Sequence, residues 1–279
     1  MATIIDGKKV SIELLKELQK KTDKLQKKPS IAVILANNDD ASRIYVNSKE
    51  KQANILGYKS MVYKFEKTVK QEELIELINK LNNDPNVNAI LLQLPLFNHL
   101  NENELIELIN PIKDVDGFHP LNTGKLYSNL NPFAVCCTPK GIIKLLDYYK
   151  IDITGKNTLV IGRSNIVGKP MAALLTNRDA TVTLAHSKSE NLKEITKTKD
   201  IIISATGCPK LIKKDMVKQN SVIIDVGIVK QNNGKLMGDV DFENVKDKVR
   251  YITPVPGGVG PMTIACLMEN TYELFLKQN

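Results

Sequence analysis

Two α/β domains built on parallel sheets are predicted for this chain, and three observations carry the prediction. Apolar runs of strand length alternate with helix-period segments along all 279 residues. Several runs, such as Ile31-Ala-Val-Ile-Leu35 and Ala89-Ile-Leu-Leu92, are continuously apolar, as strands covered on both faces are. A strand–turn–helix unit starts afresh in the second half, where Thr158-Leu-Val-Ile161 meets Gly162 and Pro170 opens a helix.

In order, Lys8 to about Lys28 is an amphipathic helix with Val10, Leu14, Leu15, Leu18 and Leu25 on one side, ended by Pro29. The Ile31–Leu35 strand follows. Asn37-Asn-Asp-Asp40 is a turn and helix cap, and the next helix runs from Ala41 to about Leu56, stopped by Gly57. Ser60 to Phe65 is a strand, Gln71 to Leu81 a helix, Ala89 to Leu92 a strand ending in Gln93, and Asn101 to Ile109 a helix. Lys113-Asp-Val-Asp-Gly-Phe-His-Pro120 is too rich in turn residues to be regular. Ala134 to Pro139 crosses between halves and leads into a helix over Lys140 to Tyr149. After the glycine turn come strands at Thr181–Ala185, Ile201–Ser204, Ser221–Val226 and Tyr251–Thr253, and a closing helix from Met262 to about Leu276.

Composition narrows the function classes. The chain is 42% hydrophobic and 25% charged, as soluble globular proteins are, with no apolar run of membrane-span length and no signal-peptide layout. Cys136, Cys137, Cys208 and Cys266 have neither disulfide-framework nor metal-ligand spacing, and His99, His119 and His186 are the only histidines. The expectation is no metal, a reducing compartment and a cytoplasmic protein. The net charge of +8 is spread along helix faces, as at Lys16, Lys20, Lys24 and Lys27, rather than gathered into a stripe. This argues against a nucleic-acid partner and leaves a surface that attracts anionic small molecules.

Six constellations could carry chemistry. Gly162-x-Ser164-x-x-x-Gly168 departs from the usual G-x-G-x-x-G, yet a strand, a glycine turn and a helix N-terminus in that order aim free N–H groups at a phosphate. Tyr45 and Lys49, four apart, share a helix face beside a strand's C-terminal edge. Such a pair alone is more often surface decoration, but a ring can stack on a flat heterocycle while the ammonium reaches its reacting atom. The Tyr-x-x-x-Lys of short-chain dehydrogenases follows their nucleotide fingerprint, whereas this pair precedes the glycine turn, so that assignment is rejected. Gln93 must find partners at the end of an apolar strand, in the backbone or in a ligand. Of Asp114 and Asp116, one could cap the loop and the other grip a heterocycle through paired hydrogen bonds. Pro256-Gly-Gly-Val-Gly-Pro261 reads as a rigid, shaped wall. Where a carboxylate usually binds the ribose 2′-hydroxyl, Ala185-His-Ser-Lys188 has none, and with Arg163 this favours NADP over NAD.

These residues sit in segments that resemble the bifunctional methylenetetrahydrofolate dehydrogenase/methenyltetrahydrofolate cyclohydrolase family. The segments are Ala41-Ser-x-x-Tyr45-Val-x-x-Lys49, Leu91-Leu-Gln-Leu-Pro95, Lys113 to Pro120, Cys137-Thr-Pro139, Gly162-Arg-Ser-x-x-Val-Gly-x-Pro170, Ile224-Asp-Val-Gly227, Gly238-Asp-Val-Asp241 and Thr253-Pro-Val-Pro-Gly-Gly-Val-Gly-Pro-Met-Thr263. The resemblance covers nearly the whole chain. It implies a folate-binding catalytic domain over 1–136, rejoined by the C-terminal helix 261–279, and a Rossmann-type NADP domain over 137–260, the two flanking a cleft. By the same resemblance Tyr45 stacks on the folate ring, Lys49 is the central catalytic residue, Gln93 holds it and Asp116 anchors the pterin. Leu94 and the loop of Pro256, Gly257, Gly258, Val259, Gly260 and Pro261 line the substrate. Gly162, Arg163, Ser164 and Val167 contact the cofactor, joined by His186, Ser187, Ala205 and Gly207, and by Thr138, Ile228 and Thr263. The implied reaction is NADP-dependent oxidation of 5,10-methylenetetrahydrofolate, then hydrolysis of the methenyl product to 10-formyltetrahydrofolate, in a homodimer serving purine synthesis. Ala185 stands where many relatives have cysteine. Rival readings are another two-domain NADP dehydrogenase of shikimate or amino-acid type, a non-catalytic dinucleotide sensor, and a nucleic-acid binder resting on charge alone.

Overall fold

The structure, a computed structural model, describes residues 2–231 and 234–279. The chain begins with β1 (Thr3–Ile4), α1 (Gly7–Asp23), β2 (Ser30–Leu35) and α2 (Asp40–Ile55). It continues through β3 (Lys59–Lys64), α3 (Gln71–Asn83), β4 (Ala89–Gln93), α4 (Glu102–Leu108) and α5 (Pro120–Tyr127). Next come α6 (Cys137–Tyr148), β5 (Asn157–Ile161), α7 (Gly168–Thr176), β6 (Thr181–Ala185), α8 (Leu192–Lys197) and β7 (Ile201–Ser204). A 3-10 turn at Lys214–Met216 leads to β8 (Val222–Asp225), β9 (Val229–Lys230), β10 (Leu236–Met237), α9 (Phe242–Val245), β11 (Tyr251–Ile252) and α10 (Val259–Gln278). The chain divides into two compact units, Glu13–Cys137 with Ile264–Asn279, and Met1–Ile12 with Thr138–Thr263.

The first unit carries a parallel sheet in the order β3-β2-β4. Its middle strand is buried throughout, which explains the unbroken apolar run. Ile34, Ile90, Leu74, Ile78 and Leu105 form the core under one face. Lys113, itself buried, reaches under this layer to donate to the carbonyls of Leu81 at 2.9 Å and Asp84 at 2.8 Å, at the C-terminal end of α3. An ammonium there satisfies carbonyls that the helix leaves orphaned and sits at the negative end of its dipole. Lys113→Met is expected to destabilise the protein by about 1–3 kcal/mol, the cost of stranding buried acceptors, read as a lower urea midpoint.

The second unit carries a six-stranded parallel sheet in the order β1-β11-β8-β7-β5-β6, with β9 and β10 as a separate antiparallel pair. Leu159, Ile161, Ile202, Ile223 and Ile252 form its core. From β5 the chain steps to β6 on one side and β7 on the other, so the strand order reverses there, and ligands of such sheets bind at the carboxyl ends beside that reversal. At the end of β8, burial and the neighbouring charge of Asp239 push the Asp225 carboxyl up to about 6. The folded state thus keeps a proton that the unfolded chain loses near the ordinary carboxylate value. Stability from this group is full below about pH 4 and is lost as pH rises through about 6, by roughly 3 kcal/mol. Urea unfolding of the wild type at pH 4.5 and pH 7 should show about two-thirds of that decline, roughly 2 kcal/mol from this group, because the rest is lost below pH 4.5.

Several boundaries differ from the sequence reading. Residues 2–12 cluster with the larger sheet rather than with the first unit, because β1 pairs in parallel with β11, Thr3 opposite Tyr251. The first helix stops at Asp23, five residues early, where Lys28 Nζ folds back to accept the role of a C-terminal cap on the Thr22 carbonyl at 2.6 Å. Helix α7 starts at Gly168 and α10 at Val259, each with a proline as third residue, where the missing N–H has no intrahelical partner to lose.

Candidate active site and cofactor cradle

In the first unit the turn after β2 ends in Asp39, whose carboxylate accepts from Ser42 N at 2.8 Å and Ser42 Oγ at 2.9 Å and so starts α2. Six and ten residues after Asp39, Tyr45 is half-buried and Lys49 is 8% exposed. Burial also pushes the Tyr45 hydroxyl up from its ordinary value. Lys49 Nζ donates to Gln93 Oε1 at 2.8 Å, and Gln93 Nε2 donates to the Leu94 carbonyl at 2.8 Å. The amide at the end of the apolar strand therefore has both ends engaged and holds Lys49 Nζ from the sheet side.

The two aspartates of the irregular loop part company. Asp114 is buried and accepts from Phe118 N at 3.2 Å, His119 N at 2.9 Å and Asn122 Nδ2 at 2.8 Å, so it is the carboxylate that builds the loop. Asp116 is half-buried, and its Oδ1 accepts from Cys137 Sγ at 3.4 Å. Burial raises the Asp116 carboxyl, and the charge of Lys49 opposes that rise. Cys137 is fixed in turn by Asn270 on α10, whose Nδ2 lies 3.5 Å from the sulfur, 2.8 Å from the Val115 carbonyl and 2.9 Å from the Val135 carbonyl. Burial and the Asp116 charge raise the Cys137 thiol well above its usual value, so it stays a protonated donor. Sequence reasoning missed this support. Asn270 is one polar residue in a largely buried helix face, and only that mismatch signalled it. A shallow hollow lined by Asn37, Arg43, Asn47, Lys64 and Glu66 also borders α2, and Tyr45, Lys49, Gln93 and Asp116 are not among its lining residues.

In the second unit Gly162 leaves β5 at φ +116, and a Cβ there would lie 2.3 Å from the Ala205 carbonyl oxygen. Both facts require glycine. Ser164 Oγ accepts from Val167 N at 3.2 Å and Gly168 N at 3.4 Å and so caps α7 from inside the turn. Arg163, Ser164, Ser187 and Lys188 are exposed at the carboxyl ends of β5 and β6. His186 N donates to Ser189 Oγ at 2.9 Å, and its ring Nδ1 accepts from Lys188 N at 3.2 Å, which shapes that turn. Gly207 and Ile228 are exposed in the turns after β7 and β8, and Ala205 is half-buried. Thr138 Oγ1 and Thr263 Oγ1 lie 2.9 Å apart. In the segment Pro256–Pro261 the reading of one rigid loop is corrected: Val259, Gly260 and Pro261 are the first turn of α10. Only Pro256 to Gly258 remain loop, braced where Lys8 N donates to the Gly257 carbonyl at 3.0 Å. That segment and Lys49 belong to different units.

A close-packed glycine turn, a helix N-terminus and an exposed arginine and lysine without a carboxylate at the β6 turn fit a dinucleotide bearing a 2′-phosphate. No group of three or more His, Cys, Asp or Glu side chains able to hold a metal is present among the described residues.

Residues 5–116 match the family model described as "Tetrahydrofolate dehydrogenase/cyclohydrolase, catalytic domain", and residues 136–279 match "Tetrahydrofolate dehydrogenase/cyclohydrolase, NAD(P)-binding domain". The Mycoplasma mycoides protein named "Bifunctional protein FolD" is 50% identical, over 99% of this chain and 98% of its own. The crystal structure of the bifunctional methylenetetrahydrofolate dehydrogenase/cyclohydrolase of Campylobacter jejuni is 47% identical with a TM-score of 0.97, covering 99% of this chain and 100% of that one. A Trypanosoma brucei methylenetetrahydrofolate dehydrogenase-cyclohydrolase, solved with NADP cofactor and an inhibitor, is 35% identical with a TM-score of 0.95, covering 99% and 98%. The Aquifex aeolicus shikimate dehydrogenase, at 15% identity and a TM-score of 0.55, shares the fold alone, which sets the shikimate rival aside.

Proposed function

The chain belongs to the tetrahydrofolate dehydrogenase/cyclohydrolase family, and from that premise we propose that Lys49, held by Gln93 and faced by Asp116, is its catalytic centre. The protein is a bifunctional enzyme that oxidises 5,10-methylenetetrahydrofolate with NADP and hydrolyses the methenyl product to 10-formyltetrahydrofolate. The observation that carries our assignment of residues is the 2.8 Å contact from the buried Lys49 Nζ to Gln93 Oε1.

NADP, when bound, supplies the nicotinamide that accepts a hydride from the one-carbon bridge. The protein's own part in that step is positioning. Tyr45 stacks on the folate ring, Asp116 takes the pterin N–H groups, and Leu94 lines the substrate. In the hydrolytic step water attacks the methenyl carbon. Lys49, acting as the free amine, takes the proton that water loses as the C–O bond forms and passes it to the bridge nitrogen that leaves as its C–N bond breaks, while Gln93 keeps the amine in place. The turn from Gly162 to Val167 takes the cofactor phosphates, Arg163, His186 and Ser187 the 2′-phosphate. Thr138, Ala205, Gly207, Ile228 and Thr263 border the rest.

The folate and NADP units are thus assigned to the first and second unit. A homodimer, a cytoplasmic site and a place in purine synthesis complete the reading as the resemblance implies them, and the cytoplasmic site is supported by four cysteines of which none is in a disulfide. No helix among the described residues is long and apolar enough to cross a membrane, and the dispersed lysines favour neither membrane nor nucleic acid. Absorbance-followed oxidation of methylenetetrahydrofolate, run in parallel with NADP and NAD, tests the whole. Methenyl product that forms faster with NADP and then decays is expected; no methenyl product with either cofactor would overturn it.

A further inference from the structure

Two aspartates of the second unit have no part in the roles above. Asp225 ends β8 and Asp239 follows β10, at 3% and 0% exposure. Asp239 Oδ2 accepts from Thr206 N at 2.7 Å and from Ser204 Oγ at 2.9 Å. Asp225 Oδ1 accepts from Gly227 N at 3.0 Å and Asp239 N at 2.9 Å, and its Oδ2 from Val240 N at 2.9 Å. The two carboxylates are keyed into one another's turns: a Cβ on Gly227 would lie 2.1 Å from Asp239 Oδ1, and one on Gly238 2.0 Å from Asp225 Oδ2. Asp239 Oδ1 has no hydrogen-bond partner among the described residues. A buried pair of like charges is dearer than neutral side chains of the same shape, so stability alone does not account for it.

What the pair holds is specific. The Thr206 bond fixes the turn after β7, between Ala205 and Gly207, and the Gly227 bond fixes the turn after β8, immediately before Ile228. The Ala205 carbonyl in turn packs against Gly162. Three of the strand-end turns assigned above to the cofactor are therefore referenced to this pair: Thr206 to Asp239, Gly227 to Asp225, and Gly162 through the Ala205 carbonyl. We propose that Asp239 is a positioning residue for NADP, fixing the 205–207 turn against the 227–228 turn through its bond to Thr206 N. The proposal rests on the reading of those turns as cofactor contacts.

The test is NADP affinity by titration calorimetry on full-length wild type, Asp239→Ala, Asp239→Asn and Ser204→Ala. The cyclohydrolase rate, which needs no nicotinamide, is followed in parallel as a control on the folate unit. Removing the acceptor in Asp239→Ala is expected to weaken NADP binding about tenfold or more, the scale of one charge-assisted hydrogen bond. The cyclohydrolase rate and the KM for methylenetetrahydrofolate should stay within about twofold. Asp239→Asn keeps an oxygen for Thr206 N and should return binding to within about threefold of wild type. Unchanged affinity in Asp239→Ala, or no recovery in Asp239→Asn, overturns the proposal. If Asp239→Ala loses cyclohydrolase as well, Ser204→Ala decides. It removes one donor only and should weaken NADP binding about twofold to fivefold with cyclohydrolase kept; unchanged binding there overturns the proposal. Wild type that does not bind NADP at all would overturn the cofactor reading itself, and this inference with it.

Discussion

Lys49→Met is expected to lower the cyclohydrolase rate by about 10²–10⁴-fold, the usual worth of a positioned general acid–base, while NADP affinity stays within about twofold. Methionine keeps the length and apolar stem of lysine, so the space beside α2 stays filled and the loss isolates the amine. Gln93 retains its bond to the Leu94 carbonyl but loses the donor to its Oε1. Asp116 loses the cation that opposes the effect of burial, so its carboxyl should titrate at still higher pH in the variant. The turns proposed to hold the cofactor belong to the other unit, which predicts intact NADP binding. Decay of methenyltetrahydrofolate by absorbance and NADP titration read the two quantities. Unchanged turnover would remove Lys49 from the chemistry.

What was legible in the sequence follows from where the information lies. The strands and their parallel pairing were written locally, in runs such as Ile31–Leu35 that only a twice-covered strand explains. The turn at Gly162 was legible because its backbone needs glycine whatever the tertiary context. Tyr45 and Lys49 were legible as one face of one helix. Strand β1 was not: two residues, Thr3 and Ile4, have no periodicity, and only pairing with β11 makes them a strand. The starts of α7 and α10 were misplaced because a proline in third position reads like one in first. Roles decided through space were hidden altogether. Nothing near Asp114 or Asp116 in sequence says which builds the loop, and nothing near Asn270 says that it holds Cys137 and hence Asp116.

Gly168→Ala is the second large effect expected, and its sign separates two explanations of one glycine. Gly168 is the first residue of α7, and inside a helix alanine is favoured over glycine by about 1 kcal/mol. Were propensity the only issue, the substitution would be neutral or stabilising. Packing argues the reverse. A Cβ at Gly168 would lie 1.9 Å from the Gly162 carbonyl oxygen, 2.5 Å from its carbon and 3.0 Å from Arg163 Cα, all backbone atoms. The turn cannot yield cheaply. Gly162 N is bonded to the Ala185 carbonyl at 2.8 Å, and its other side already packs on the Ala205 carbonyl. Moving it disturbs the ends of β5, β6 and β7 together. The expected result is a loss of about 1–3 kcal/mol in stability and NADP binding weaker by about tenfold or more, since the displaced N–H groups are those we propose to hold the phosphates. Cyclohydrolase should be largely kept, because Lys49, Gln93 and Asp116 lie in the other unit. Thermal melts with NADP titration read both terms. A variant that melts higher and binds NADP as well as wild type would mean that the close approach of Gly168 to Gly162 does not shape the cradle.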